Sequence, residues 1–333
     1  MAASKLRWGI LGVAGIVDRL MPAFTASSTV ELAGIASRTL DKAKAYAAAN
    51  GIAKAYGRYE DLLADPAIDA VYNPLPNHMH SEWTKKAADA GKHILCEKPL
   101  CPTADEAADL VAYCRKKGVR LMDGFMWPHH PRTHKLRKFL DGGGIGTITG
   151  ATSAFTFNLN GLPTSNIRMQ PQAAGGGLLD VGCYCVFGIR WAMQADPVRA
   201  FAKATFVNDV DVALAGVLTF ADGRTAHFDC GFTKPLRTWV EIVGSEGVVR
   251  IPNLWIPDDR AAYEVHRQSG TFDQAIEIVE SPGENQMVHM LDDFAACVAE
   301  KREAYPNPDE SVKLLRVLDA LAKSARSGRE VDV

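Results

Sequence analysis

Apolar residues in the first third of the chain come in short blocks that alternate with helical stretches. Residues 6–11 form a strand-like run that leads into a helix through about residue 26, and 30–36 and 40–49 repeat the pattern as strand and Ala/Lys-rich helix. Further strand-like runs stand at 68–72, 93–96 and 120–122, with helices at roughly 79–90 and 103–117 between them. Parallel neighbours cannot be joined by hairpins, so this rhythm predicts an α/β domain: a parallel sheet with crossover helices. From Thr147 onward the texture changes to longer strands with period-two alternation and turn pairs such as Asp222-Gly223 and Glu246-Gly247, the pattern of an antiparallel sheet. A helix at about 177–194 interrupts it, and two more near 285–302 and 308–326 close the chain. The expected domains are 1–123, for nucleotide, and 124–333, for substrate and assembly, with the terminal helices free to pack back on the first.

Charge narrows the partners. The 333 residues carry 37 Lys+Arg against 39 Asp+Glu, a formal net charge of −2. Binding a phosphate backbone needs a surplus of cations, so nucleic acid is not expected. Hydrophobic residues at 47% and charged residues at 23% are ordinary for a globular protein. The expectation is a cytoplasmic protein without a membrane partner, because no apolar run is read as reaching the ~18 residues of a span and the N-terminus shows no signal-like segment. Seven scattered cysteines in no C-x-x-C spacing argue for reduced thiols rather than disulfides or zinc.

The first strand runs into Gly9-Ile10-Leu11-Gly12-Val13-Ala14-Gly15-Ile16-Val17, which opens a helix. A glycine-rich turn there lets the backbone approach a pyrophosphate, whose charge the free N–H groups of the helix N-terminus stabilise. The match to G-x-G-x-x-G is imperfect, with Ala14 and Val17 in the second and third places, and an ordinary β–α turn is the alternative. The second strand ends at Ser37-Arg38 without the acid that would bind a ribose 2′-hydroxyl in an NAD site. Ser37 can donate to a phosphate and Arg38 can pair with it, which favours NADP, with NAD and a merely solvated Arg still open. Pro76-Asn77-His78-Met79-His80 and Glu97-Lys98-Pro99 each follow an apolar strand, so they lie at the carboxyl edge of the sheet, where ligands bind in open α/β folds.

Together with Gly175-Gly176-Gly177 and Asp180-Val181-Gly182-Cys183-Tyr184, these segments resemble the glucose-fructose oxidoreductase, inositol dehydrogenase and rhizopine-catabolism (Gfo/Idh/MocA) family. The resemblance extends to residues 240–247 and the final helix pair. Within it, Asn166-Ile167-Arg168 and Cys183-Tyr184 look most like the aldose and dihydrodiol dehydrogenases. It implies a Rossmann domain followed by an α+β domain with a large open, mostly antiparallel sheet, whose outer face often makes a homodimer or homotetramer. It also implies catalysis by Lys98, Tyr184 and Asp180. Gly12, Ala14, Gly15, Ile16, Ser37, Arg38, Pro76, Asn77, His80, Glu97 and Lys98 would hold the cofactor, and Pro99 would follow a cis bond.

The chemistry agrees with those types. Asp180 and Tyr184 are four apart and share one helix face. A Tyr with a reference pKa of ~10 becomes a usable base when an ammonium such as that of Lys98 favours its phenolate. Trp127, Phe155, Phe157, Asn158, Asn160, Asn166 and Arg168 supply the aromatic and polar groups that a sugar or polyol site needs. The glycine triplet reads as close backbone approach to a ligand, or as a simple loop. Three histidines at 129, 130 and 134 invite a metal, but no carboxylate or thiolate joins them at ligand spacing, so none is expected. The expected function is an NADP-dependent oxidoreductase moving hydride to or from a carbinol carbon of a sugar, polyol or cyclic diol. A non-catalytic dinucleotide sensor and an NAD-dependent glycosidase are the alternatives.

Overall fold

The computed structural model describes residues 5–257 and 261–333. Its packing divides the chain into two compact units: one runs to His129 and takes in Asn285–Val312, and the other is His130–Glu284 with Lys313–Val333. The first segment of the first unit ends at His129, against the boundary that the sequence predicts at 123. The grouping of Asn285–Val312 with the first unit leaves no local mark in the sequence.

The first unit is built on β1 (Leu6–Leu11), β2 (Val30–Ala36), β3 (Lys54–Tyr56), β4 (Ala70–Asn73), β5 (His93–Cys96) and β6 (Leu121–Asp123), all parallel, in the order β3-β2-β1-β4-β5-β6. Helices α1 (Gly15–Ala26), α2 (Leu40–Asn50), α3 (Tyr59–Ala64), α4 (His80–Asp89) and α5 (Ala104–Lys117) connect them. This is the order of a dinucleotide-binding sheet, with its switch between β1 and β4. Short β3 and α3 escape periodicity, since three and six residues complete no pattern.

The second unit begins with α6 (Pro131–Asp141), which the Pro-His-His-Pro run disguises as loop although proline suits a first helical turn. Its sheet comprises β7 (Ile148–Asn158), β8 (Pro197–Val207), β9 (Val210–Phe220), β10 (Thr225–Gly231), β11 (Thr233–Arg237), β12 (Val240–Gly244), β13 (Val248–Ile251), β14 (Tyr263–Gln268), β15 (Gln274–Val279) and β16 (Val331–Asp332). The order is β15-β14-β13-β12-β7-β10-β9-β8-β16, with β11 also on β7. Every pairing is antiparallel except β7 with β10, whose long connection carries α7 (Cys183–Met193), β8 and β9. One π-helical turn, Leu178–Gly182, leads into α7.

The stretch Pro171–Met193 corrects one expectation, because by length and composition it is apolar enough to cross a membrane. In the fold it ends as a core helix: Cys183, Cys185, Val186, Ile189 and Ala192 are fully buried. Gly188 lets it lie against Trp255, whose ring would stand 2.4 Å from an added Cβ. Two helices complete the chain, α8 (Gln286–Glu300) and α9 (Pro308–Ser327). In the first unit, Phe294 of α8 packs on Trp8 with ring centroids 5.2 Å apart, and Phe24 of α1 meets the same indole at 5.8 Å. Burying each such ring contributes roughly 1.5–3 kcal/mol, enough to draw this distant helix onto the Rossmann core.

Candidate active site

In the first unit, Gly12 adopts φ +109°, a conformation closed to most side chains, and its N–H bonds to Ala36 O at 2.9 Å. That bond sets the turn beside the end of β2, where Ser37 is buried and Arg38 exposed. Ala14 precedes α1 in an extended conformation and no side chain caps the helix. A Cβ on Gly15 would meet nothing within 4 Å. Uncapped N–H groups facing open space fit a pyrophosphate, and the neighbouring Ser37 and Arg38 fit a 2′-phosphate. Ile16, by contrast, packs against the core.

Pro76 and Asn77 lie in the turn after β4, both partly exposed. His80, expected to touch the cofactor, is fully buried, with Nδ1 2.9 Å from Pro99 O and Nε2 2.7 Å from Leu75 O. Burial pushes its pKa down to about 4, against the two carbonyls, which favour protonation. Its place in the fold is a brace between the two cofactor-side turns. The Lys98–Pro99 bond is cis. Glu97 accepts from Tyr72 Oη at 2.6 Å and from the Lys98 N–H at 3.2 Å. Trp127, expected against the substrate, is fully buried.

Asp123, at the end of β6 and in register with Cys96, carries no signal in the sequence that singles it out. It is 5% exposed; Oδ2 accepts from Ser311 at 2.7 Å, and Oδ1 is buried without a partner among the described residues. Burial, reinforced by the charge of Glu97, raises its pKa to about 7 against the opposing pull of Ser311 and Lys98.

In the second unit, the Tyr184 ring lies edge-on to Phe155 with centroids 5.3 Å apart and tilted to Trp255 at 5.7 Å. Asp180 Oδ2 pairs with Arg168 Nε at 2.6 Å, and the Arg168 guanidinium stands 5.9 Å from the Phe157 ring centre. Two residues expected to meet the substrate separately are thus joined to each other. Asn166 is also engaged locally, its Oδ1 accepting the Arg168 N–H at 3.0 Å. Asn158 and Asn160 are exposed.

Crowding within the chain calls for glycine in the triplet. A Cβ on Gly175 would lie 2.5 Å from Arg168 O, and one on Gly176, at φ +126°, would lie 2.2 Å from Asp211 Oδ1. Asp211 Oδ2 accepts the Leu178 N–H at 2.7 Å, capping the turn that carries Asp180 and Tyr184. Burial raises the Asp211 pKa to about 6. Strand alternation marks Asp211 as polar but not as a cap for residues 33 positions away.

Among the described residues no three His, Cys, Asp or Glu side chains converge as metal ligands. His129 Nδ1 stands 3.5 Å from Asp293 Oδ2, and His130 Nδ1 accepts the Arg132 N–H at 3.0 Å.

Comparison with known proteins matches this geometry. Residues 6–125 match the oxidoreductase family with an NAD-binding Rossmann fold, and 133–250 match the GFO/IDH/MocA C-terminal domain. The chain is 37% identical over 331 residues to a D-xylose 1-dehydrogenase (NADP(+)) of Haloferax volcanii, covering 98% of this chain and 100% of that protein. It is 31% identical to a trans-1,2-dihydrobenzene-1,2-diol dehydrogenase of Mus musculus over 76% of this chain and 77% of the relative. A 3-ketoreductase of Actinomadura kijaniata, solved with NADP and TDP-benzene, superposes with a TM-score of 0.88 at 31% identity, covering 96% of this chain and 98% of that one. The chain belongs to the Gfo/Idh/MocA oxidoreductase family.

Proposed function

We propose that the protein is an NADP-dependent oxidoreductase acting between the alcohol and carbonyl forms of a sugar, polyol or cyclic diol. The observation that carries this reading is the open, uncapped start of α1 beside Ser37 and Arg38, with no acid at the end of β2 to repel a 2′-phosphate. Relatives named for NADP-dependent xylose oxidation and solved with NADP support it.

Bound NADP supplies hydride acceptance or donation at its nicotinamide. The chain must orient the substrate, exclude water and handle one proton. In the oxidation direction, Tyr184 takes the proton of the reacting hydroxyl, and it returns that proton in reduction. Lys98 supplies positive charge that stabilises the oxygen of the reacting hydroxyl. Asp180, steered by Arg168, accepts from a second substrate hydroxyl. Pro76, Asn77 and Glu97 hold the cofactor side, with His80 bracing the two turns. Seven buried free thiols support a reducing, cytoplasmic setting.

A homodimer or homotetramer formed on the open sheet face completes the reading. Phe201 and Val217, paired across β8 and β9, are 40% and 42% exposed. The face of β10 is more polar than its alternation suggests, since Asp229 pairs with Lys234 and Arg237. Light scattering that returns the monomer mass at micromolar concentration rules assembly out. Absorbance at 340 nm, with pentoses, hexoses, inositols and dihydrodiols against NADP⁺ and NAD⁺, tests the activity. Turnover with NADP⁺ on at least one such alcohol is expected. Cofactor retained through gel filtration with no net NADPH would favour internal redox chemistry instead.

A further inference from the structure

Asp180 and Tyr184 stand on one short segment, the π-helical turn Leu178–Gly182 and the first residues of α7. The N–H of Leu178 begins that segment and has no partner inside the helix. Asp211, the second residue of β9, reaches it from a separate strand, with Oδ2 2.7 Å from the Leu178 nitrogen. The bonds run on from there: the Cys183 N–H donates to Leu178 O, and the Asp180 N–H donates to Gly176 O at 3.0 Å. Glycine admits the carboxylate. A Cβ on Gly176 would strike Asp211 Oδ1, and one on Gly177 would lie 3.4 Å from Oδ2 and 3.0 Å from the Gly231 Cα. The same run ties down Arg168, whose carbonyl accepts the Gly176 N–H at 3.0 Å and whose side chain pairs with Asp180.

Burial opposes the charge on Asp211, while Arg326 of α9, itself paired with Asp209 at 2.9 Å, favours it. The nearby Cys230 thiol of β10 is pushed well up by burial and stays neutral. The balance brings the Asp211 pKa to about 6, inside the range in which turnover can be assayed.

We propose that Asp211 is a positioning residue for the reaction: through the Leu178 amide its carboxylate holds the turn that sets the aim of Asp180 and Tyr184. An ionised acceptor holds that N–H more strongly than a protonated one, so turnover follows the ionisation of Asp211. The inference rests on the roles given to Asp180 and Tyr184 above.

Asp211→Asn keeps the side-chain shape and an acceptor oxygen and removes the charge. With an alcohol that the unmodified protein oxidises and saturating NADP⁺, kcat at pH 8 should fall about 10- to 100-fold, the scale of a small misplacement of reacting groups. The NADPH Kd, read by fluorescence titration, should stay within twofold. In the unmodified protein kcat should fall as pH drops through about 6, and in the variant that limb should be absent. A merely structural role would lower activity without erasing one limb of the profile. The limb persisting in the variant, or kcat within twofold of the unmodified protein at pH 8, overturns the proposal. Hydrogen exchange at a single pH reads the cap without turnover. Amides of residues 176–184 should exchange at least tenfold faster in the variant, with those of β1 and α1 unchanged, and equal exchange in 176–184 overturns the proposal. Failure of the unmodified protein to oxidise any of the alcohols would instead overturn the functional reading beneath it.

Discussion

Asp123→Asn should gain stability relative to the unmodified protein as pH rises, by about 2 kcal/mol between pH 5.5 and 8.5. The carboxyl is buried at the end of β6, with one oxygen on Ser311 and the other without a partner among the described residues. Its pKa rises from the ordinary 3.8 to about 7, chiefly by burial. An acid with a raised folded pKa holds its proton more tightly in the fold than in the unfolded chain. Stability is therefore full below pH 3.8 and declines as pH rises towards 7. At ~1.4 kcal/mol per pH unit, complete ionisation costs about 4 kcal/mol, of which about 2 kcal/mol falls between pH 5.5 and 8.5. The groups that set this balance are Glu97, which opposes ionisation, and Lys98, Ser311 and the Gly124 N–H, which favour it.

Asparagine keeps the acceptor for Ser311 and cannot ionise. Any fixed cost of burying its amide is the same at both pH values and cancels in the comparison. Guanidinium denaturation of both proteins at pH 5.5 and 8.5 is the assay. The stability difference between them should move by about 2 kcal/mol in favour of the variant at the higher pH. A difference that does not change with pH would refute the reasoning, because it would mean that Asp123 is already ionised at pH 5.5 without cost.

Three further outcomes test other parts of the structure. Tyr184→Phe should lower kcat by about 10²–10⁴-fold with NADPH binding intact, and Lys98→Met should lose as much or more and move the alkaline-rising limb of the oxidation profile to higher pH; near-normal turnover by Tyr184→Phe would send the proton by another route. Arg38→Asp should reverse the preference for NADP⁺ over NAD⁺ in kcat/KM, because a carboxylate then faces the 2′-phosphate. Gly176→Ala should destabilise by roughly 2–4 kcal/mol, combining a conformation at φ +126° that strains a side chain with displacement of the Asp211 cap, and thermal melting reads the loss.

Local chemistry was legible in the sequence, and remote partnership was not. The β–α rhythm, the Gly12 turn and the four-residue spacing of Asp180 and Tyr184 all depend on neighbours within one or two turns, so periodicity reports them. Asp211 lies 33 positions from the amide it caps, and Ser311 lies 188 from Asp123. Nothing in the alternation of β9 tells which loop will close over its first residues. The Arg168–Asp180 pairing is hidden for the same reason: each has the right chemistry for a sugar hydroxyl, and the fold of the intervening loop brings them onto one another. Trp127 is a substrate candidate because aromatic character is visible in sequence, while its complete burial is a property of the packed core.

Glycine shows most clearly why residue type alone leaves function ambiguous. A bare Cα says that something comes close, without saying whether that neighbour belongs to the chain. Gly176 is filled from within by Asp211, and Gly124 by Cys96 O at 2.9 Å from an added Cβ, so both are explained by packing. At Gly15 an added Cβ would find nothing within 4 Å, and the residue does not need a positive φ. Neither crowding nor backbone conformation therefore accounts for glycine there. What remains is the space itself, bordered by uncapped helix amides, and a space of that kind is stabilised by an anion brought from outside the chain. The same distinction separates Gly176, which shapes the turn leading into the helix that presents Tyr184, from Gly15, which leaves room for a phosphate.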